Sequence, residues 1–242
     1  MGPPRAIAFD LFHTLVDPEQ FRPAEFVRSR EIAHLLGVPP EEFVAAWDAM
    51  SGERQITMRP SVVERAQSLA RRWGVSPPPE VWSEVDEIWG RYTDFALLNP
   101  QRNVLTTLRT LRRRGWTLGL VSNCDEREMR SWAGSELAPL FDATVFSCIV
   151  GFAKPSLEAY RSLVPRWGGI ALEEAVFVGD GSNDELAGAR RAGFSKVIFQ
   201  GEFVSVNRLR PAERNNELRA QADASLTELA DLVPLLPERP DT

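Results

Sequence analysis

Apolar residues fall into two textures along this chain. Residues 6–12, AIAFDLF, form a short apolar run that meets a carboxylate at Asp10, the pattern of a buried strand with a polar tip. From 18 to 99 apolar residues recur instead at helical spacing, predicting helices over 24–36, 41–50, 61–73 and 79–98 with turn punctuation at 37–40, 59–60 and 76–79. Ser61 followed by Glu64 predicts a capping box opening the third of these. After Pro100 helices and strands alternate: helix 101–114, strand 117–123 (TLGLVSN), helix 125–137, strand 143–149 and a helix from Pro155 that kinks or stops at Pro165. Strand 176–180 (VFVGD), helix 183–192 and strand 196–200 (KVIFQ) follow. The stretch 202–221 is polar and reads as irregular; 222–236 predicts a short last strand and a terminal helix.

Strands that alternate with helices imply an α/β fold, a doubly wound parallel sheet covered on both faces. Its first strand–helix connection is interrupted by an all-helical insertion. The expected division is a core domain of 1–17 and 100–242 and a helical domain of 18–99. In such sheets ligands bind at the carboxyl ends of the strands, where the strand order reverses. Asp10, Ser122 and Asp180 fall at or just beyond predicted strand ends, and Lys154 follows another by a short loop. Four polar groups distant in sequence therefore converge on one crevice.

Composition narrows the class. Hydrophobic residues at 43% and charged ones at 26% are ordinary globular values, which argues against disorder. No apolar run approaches the ~20 residues of a spanning helix, and the N-terminus lacks a signal-peptide pattern. The expectation is a cytoplasmic protein with no membrane partner. A formal charge of −6 with no basic tract excludes nucleic acid as a partner. Cys124 and Cys148 have no metal-like spacing and read as reduced core thiols. Only Lys154 and Lys196 are lysines in a chain otherwise rich in arginine, so a compact point charge is wanted at 154.

Each convergent segment has a plain and a chemical reading. Asp10 suits a nucleophile, a metal ligand or a turn cap, and Thr14 can bond backbone or a phosphate oxygen. VSN (121–123) offers a hydroxyl and exposed amides to an anion, or a simple helix cap. GDGSND (179–184) sets Asp180 and Asp184 on a Gly-rich turn; beside Asp10 these acids repel unless a hard divalent cation such as Mg²⁺ neutralises them. The tryptophans 47, 73, 82 and 89 sit at helical positions and read as helix-bundle core. Arg22 and Arg59 lie near segment ends, where they can meet a substrate anion or solvent.

Taken in order, FDLFHTLVD (9–17), VSN, KPSLEAY (154–160) and GDGSNDELAGARRAG (179–193) resemble the haloacid dehalogenase superfamily of aspartate-nucleophile hydrolases. The helical block stands where subfamily I members carry a C1-type cap. The resemblance implies that Asp10 attacks the substrate to form a covalent aspartyl intermediate. It implies that Ser122, the Asn123 backbone and Lys154 hold the transferring group. Mg²⁺ would be bound by Asp10, the main-chain carbonyl of Phe12 and Asp180, with Asp184 as ligand or support.

One position departs from the pattern. The family's phosphatases carry an acid/base aspartate two residues after the nucleophile, where this chain has Phe12; losing such a group costs on the order of 10²–10⁴ in rate. The dehalogenase branch places an aromatic residue there. That branch, however, works without metal and lacks the acidic pattern at 179–184, so the resemblance favours phosphoryl transfer. Residues 18–99 contain no lysine, which excludes the phosphonate-cleaving branch. His13, where the family has Gly, is a candidate replacement acid/base or a loop cap. The expected activity is Mg²⁺-dependent hydrolysis of a small phosphorylated metabolite. A 2-haloacid dehalogenase-like hydrolase and a non-catalytic binding protein are the alternatives.

Overall fold

The computed structural model describes residues 4–50 and 56–236, so the outermost residues of the expected core, 1–3 and 237–242, lie outside the described residues. Six strands, β1 (Ala6–Phe9), β2 (Thr117–Ser122), β3 (Ala143–Phe146), β4 (Ala175–Gly179), β5 (Lys196–Gln200) and β6 (Ala224–Leu226), form one parallel sheet in the order β3-β2-β1-β4-β5-β6. Alternation within each strand divides the interior into two layers. Ile7, Phe9, Val176, Val178 and Ile198 pack on one face; Ala6, Ala8, Phe177, Val197 and Phe199 pack on the other. Burial on both faces explains why these strands read as unbroken apolar runs. From β1 the chain builds outward through β2 and β3, then returns to lay β4 on the other side of β1. The crevice opened by that reversal lies beyond the ends of β1 and β4.

Between β1 and β2 the chain is helical: Arg28–Leu36, Pro40–Asp48, Val62–Ala70 and Pro79–Leu98. They enclose a separate apolar cluster that includes Ile32, Phe43, Trp47, Ala66, Val85 and Trp89. The capping box forms as expected, with Glu64 N–H donating to Ser61 Oγ at 3.2 Å and Ser61 N–H to Glu64 Oε2 at 2.6 Å. Among the described residues no helix is long and apolar enough to cross a membrane. Cys124 and Cys148 are buried free thiols.

Four stretches differ from the sequence pattern. The strand expected over 143–149 ends at Phe146 and passes directly into the short helix Ser147–Val150. The helix expected over 125–137 is a run of turns containing only the short 3₁₀ segment Trp132–Gly134. There the carboxylate of Asp125 accepts the backbone N–H groups of Arg127 and Glu128, both at 3.0 Å, and the following side chains bond across to the helical insert. The helix after Pro155 spans only Leu157–Arg161 and ends before Pro165. Conversely, 202–221 is not irregular: it holds helices Glu202–Val206 and Ala212–Gln221, joined through a left-handed Arg208 (φ 52°).

Candidate functional site

Asp10 is the first residue beyond β1, and its backbone N–H still bonds to Val178 in β4, 2.9 Å away. The chain then folds back tightly: Leu15 and Val16 N–H both return to the Leu11 carbonyl, and His13 adopts φ 63°. This turn brings the Thr14 hydroxyl to Asp10 Oδ2 at 2.9 Å. Lys154 arrives from the far side. Asn123 grips its backbone at both ends, accepting Lys154 N–H at 2.7 Å and donating Nδ2 to the Lys154 carbonyl at 2.9 Å. So fixed, the ammonium reaches Asp10 Oδ1 and Glu185 Oε2, the latter at 2.5 Å.

Glu185, not Asp184, completes the cluster. Asn183 and Asp184 both take left-handed backbone (φ 52° and 53°), which turns Asp184 outward, 71% exposed and paired with Arg214 at 3.0 Å. The helix Glu185–Ala192 starts one residue later with Glu185 facing inward, its Oε1 accepting Gly181 N–H at 2.9 Å. Carboxylate oxygens of Asp10, Asp180 and Glu185 lie within 4.8 Å of one another, all three residues buried. The missed signal was periodicity: Glu185 shares its helix face with the buried Gly188, Ala189 and Ala192.

Electrostatics follow from this crowding. Burial raises the Asp10 carboxyl above the usual range; Lys154 pulls it back and Asp180 pushes it up again. Burial and then the neighbouring Asp10 carboxylate raise Glu185. Burial works against the Lys154 ammonium, but Asp10 and Glu185 outweigh it and hold the charge in place.

Above the cluster opens a cavity of about 520 Å³ lined by Asp10, Phe12, His13, Asn123, Lys154, Asp180 and Glu185 on the sheet side. The insert contributes Arg22, Phe26, Arg28, Trp47 and Trp89, so these two tryptophans serve both the bundle core and the cavity wall. Arg22 pairs with Glu19; Arg59 lies outside, paired with Glu64 in solvent. Arg28, which the sequence did not single out, pairs with Glu128 at 2.6 Å over the Trp89 ring. Ser122 is buried, and neither its hydroxyl nor His13 Nδ1 has a hydrogen-bond partner among the described residues.

A haloacid dehalogenase-like hydrolase family model matches residues 4–193. The chain belongs to this family. Among its relatives, a glyceraldehyde 3-phosphate phosphatase of Pyrococcus furiosus is 26% identical over 96% of this chain and 92% of its own. A glyceraldehyde 3-phosphate phosphatase of Methanothermobacter thermautotrophicus is 32% identical over 47% of this chain; the match spans about half of that relative's length, 50%. The hydrolase fold is shared with a solved HAD phosphatase of Thermococcus onnurineus (TM-score 0.65, 19% identity, 97% of this chain and 98% of that one). Solved 2-haloacid dehalogenases share it too, so the fold alone does not separate the two chemistries.

The hydrolase's β2 loop is also tied to the helical insert by Asp125, which accepts Trp89 Nε1–H at 2.8 Å and faces Arg65 at 3.4 Å. Burial pushes the Asp125 carboxyl up to about 7, with Glu128 and Glu126 adding repulsion. An unfolded Asp titrates near ~4. The folded state therefore holds this proton across a window where the unfolded chain has lost it. Its stabilisation is full below about pH 4 and disappears as pH rises to about 7. From pH 5 to 8 the parent chain is expected to lose about 5–10 °C more in Tm than Asp125→Asn. Thermal scans with parallel slopes would show that Asp125 is ionised throughout.

Proposed function

We propose that this hydrolase cleaves a small phosphorylated metabolite using Asp10 as nucleophile and Mg²⁺ as cofactor. One observation carries the reading. Three buried carboxylates, Asp10, Asp180 and Glu185, meet only two cations, Lys154 and Arg210, among the described residues. The cluster is short of positive charge, and its hard oxygen donors suit Mg²⁺. Asp10, Asp180, Glu185 and the Phe12 carbonyl would hold the ion. When bound, it supplies positive charge that screens the nucleophile from an anionic phosphoryl group.

In this reading the Asp10 carboxylate attacks phosphorus, the ester P–O bond breaks, and water later hydrolyses the aspartyl phosphate. Lys154, the Asn123 backbone and the Ser122 hydroxyl hold the phosphoryl oxygens. The unpartnered Ser122 hydroxyl supports this role, because a buried hydroxyl without a partner costs about 1–3 kcal/mol unless a ligand repays it. His13, which lines the cavity, assists the departing oxygen only weakly in place of the acid that Phe12 displaces. The helices of 18–99 act as a cap that closes over the cavity and excludes water.

A panel of aryl, acyl and alkyl phosphates, including the glyceraldehyde 3-phosphate of the named relatives, tests this. Phosphate release is expected with Mg²⁺ and not with chelator. With Phe12 at the acid position, aryl and acyl phosphates should outrun alkyl esters by about tenfold or more. Equal rates would mean that a full-strength acid acts on the leaving group. Halide release from a 2-haloacid in the presence of EDTA would replace the phosphatase reading with dehalogenation, for which Phe12 is the favouring observation.

A further inference from the structure

Arg210 lies beyond residues 4–193, the part of the chain the family model matches. Its guanidinium nevertheless reaches the expected metal cluster. One nitrogen, Nη1, donates to the Asp180 carbonyl at 2.8 Å; the other, Nη2, pairs with Asp180 Oδ2 and donates to Ser182 Oγ at 3.0 Å. Ser182 adds its own bonds to Asp180, hydroxyl to Oδ2 at 2.7 Å and backbone N–H to Oδ1 at 3.2 Å. The fork thus spans main chain and side chain of one residue and fixes its rotamer. Oδ2 has both lone pairs engaged, so Oδ1 keeps the available one.

The segment carrying Arg210 is anchored rather than draped. Phe203 and Val204 are buried, and Asn207 Nδ2 donates to Asp17 at 2.9 Å. Leu218 packs so closely on Gly181 (φ 86°) that a Cβ there would lie 2.8 Å from its Cδ1. A residue next to Asp180 is therefore held down by the same segment that supplies the guanidinium.

We infer that Arg210 is a built-in counter-charge for Asp180, a positioning residue that fixes this carboxylate and supplies part of the positive charge the cluster would otherwise draw from a divalent ion. The inference rests on the metal reading above. With Lys154 committed to Asp10 and Glu185, Asp180 has no other cation within an ion pair among the described residues. Without Arg210 it would be a buried charge with no counter-ion, a strongly destabilising state.

The test compares the full-length chain with Arg210→Gln and Arg210→Lys, by thermal unfolding in EDTA and in saturating Mg²⁺, and by direct Mn²⁺ titration. In EDTA Arg210→Gln is expected to lose about 10 °C in Tm and to recover most of it with Mg²⁺, whereas the parent gains only a few degrees. It should bind Mn²⁺ about tenfold more tightly than the parent, because the competing cation is gone. Arg210→Lys, which keeps the charge, should stay near the parent in EDTA. An equal loss with and without Mg²⁺, Arg210→Lys no better than Arg210→Gln, or a glutamine variant that folds in neither condition would make Arg210 a packing residue and overturn the inference. A parent chain that binds neither Mg²⁺ nor Mn²⁺ would overturn the metal reading itself, and this inference with it.

Discussion

Replacing Asp10 by Asn is expected to lower kcat by on the order of 10⁴-fold or more while leaving the fold intact. An amide of the same shape cannot attack phosphorus, and no second carboxylate is placed to substitute. Asp180 is saturated at Oδ2 by Arg210 and Ser182, and Glu185 is held by Lys154 and the Gly181 N–H. Stability should move the other way. Burial and the nearby Asp180 already disfavour the Asp10 anion, and Lys154 only partly offsets them. Removing one negative charge from a crowded trio therefore leaves Tm in EDTA unchanged or higher. Lys154 keeps Glu185 as its partner, at 2.5 Å. Single-turnover phosphate release and a thermal scan on the same preparation check both halves. Activity above 1% of the parent would place the nucleophile elsewhere, and a Tm loss above about 5 °C would make the Asp10 pair with Lys154 a structural element.

What could be read from the sequence follows from where each residue's partners lie. The central strands were legible because a sheet buried on both faces writes itself as apolar runs, and the convergence of Asp10, Asn123 and Asp180 was legible because each follows the end of one; Lys154 comes to them from beyond the short helix after β3. The helix expected over 125–137 failed because its partners are remote. Asp125, Arg127 and Ser131 spend their polar groups on Trp89, Asp86 and Asp94, and these long-range bonds override helical propensity. The helices in 202–221 were missed for the opposite reason. Of the second, only Asn215 and Leu218 are buried, too few to mark an apolar stripe, so nothing local announced the segment or Arg210 within it. The exchange of Asp184 for Glu185 turned on two left-handed residues. Shifting a helix start by one position rotates the inward face by about 100° and decides which acid meets the cluster.

Gly90→Ala should be among the most damaging single substitutions in the chain, although in a helix interior that change ordinarily stabilises by up to about 1 kcal/mol. Gly90 lies mid-way along the helix Pro79–Leu98, with the guanidinium of Arg127 against its backbone. A Cβ at that position would sit 1.9 Å from Arg127 Cζ and 2.1 Å from Nη1, so the guanidinium must leave. Arg127 is not a loose side chain that can swing into solvent: it is 4% exposed and bonded to Asp86 through Nε at 2.8 Å and to Asp94 through Nη2 at 2.5 Å. Asp94 sits below the usual carboxylate range; burial pushes it up, but the bonds from Arg127 and Ser131 prevail. Displacing Arg127 breaks both ion pairs; Asp86 keeps Arg130 at 2.7 Å, but the half-buried Asp94 loses its cation. Breaking such a pair costs about 3–5 kcal/mol, which outweighs the propensity gain several-fold. Tm should fall by about 10 °C. Arg127→Met, which removes the guanidinium and keeps much of the stem, should cost a similar amount alone and should make a subsequent Gly90→Ala nearly neutral. That non-additivity separates the steric argument from a simple loss of helix quality. Equal costs of Gly90→Ala in both backgrounds would mean that Arg127 does not set the requirement for glycine at this position.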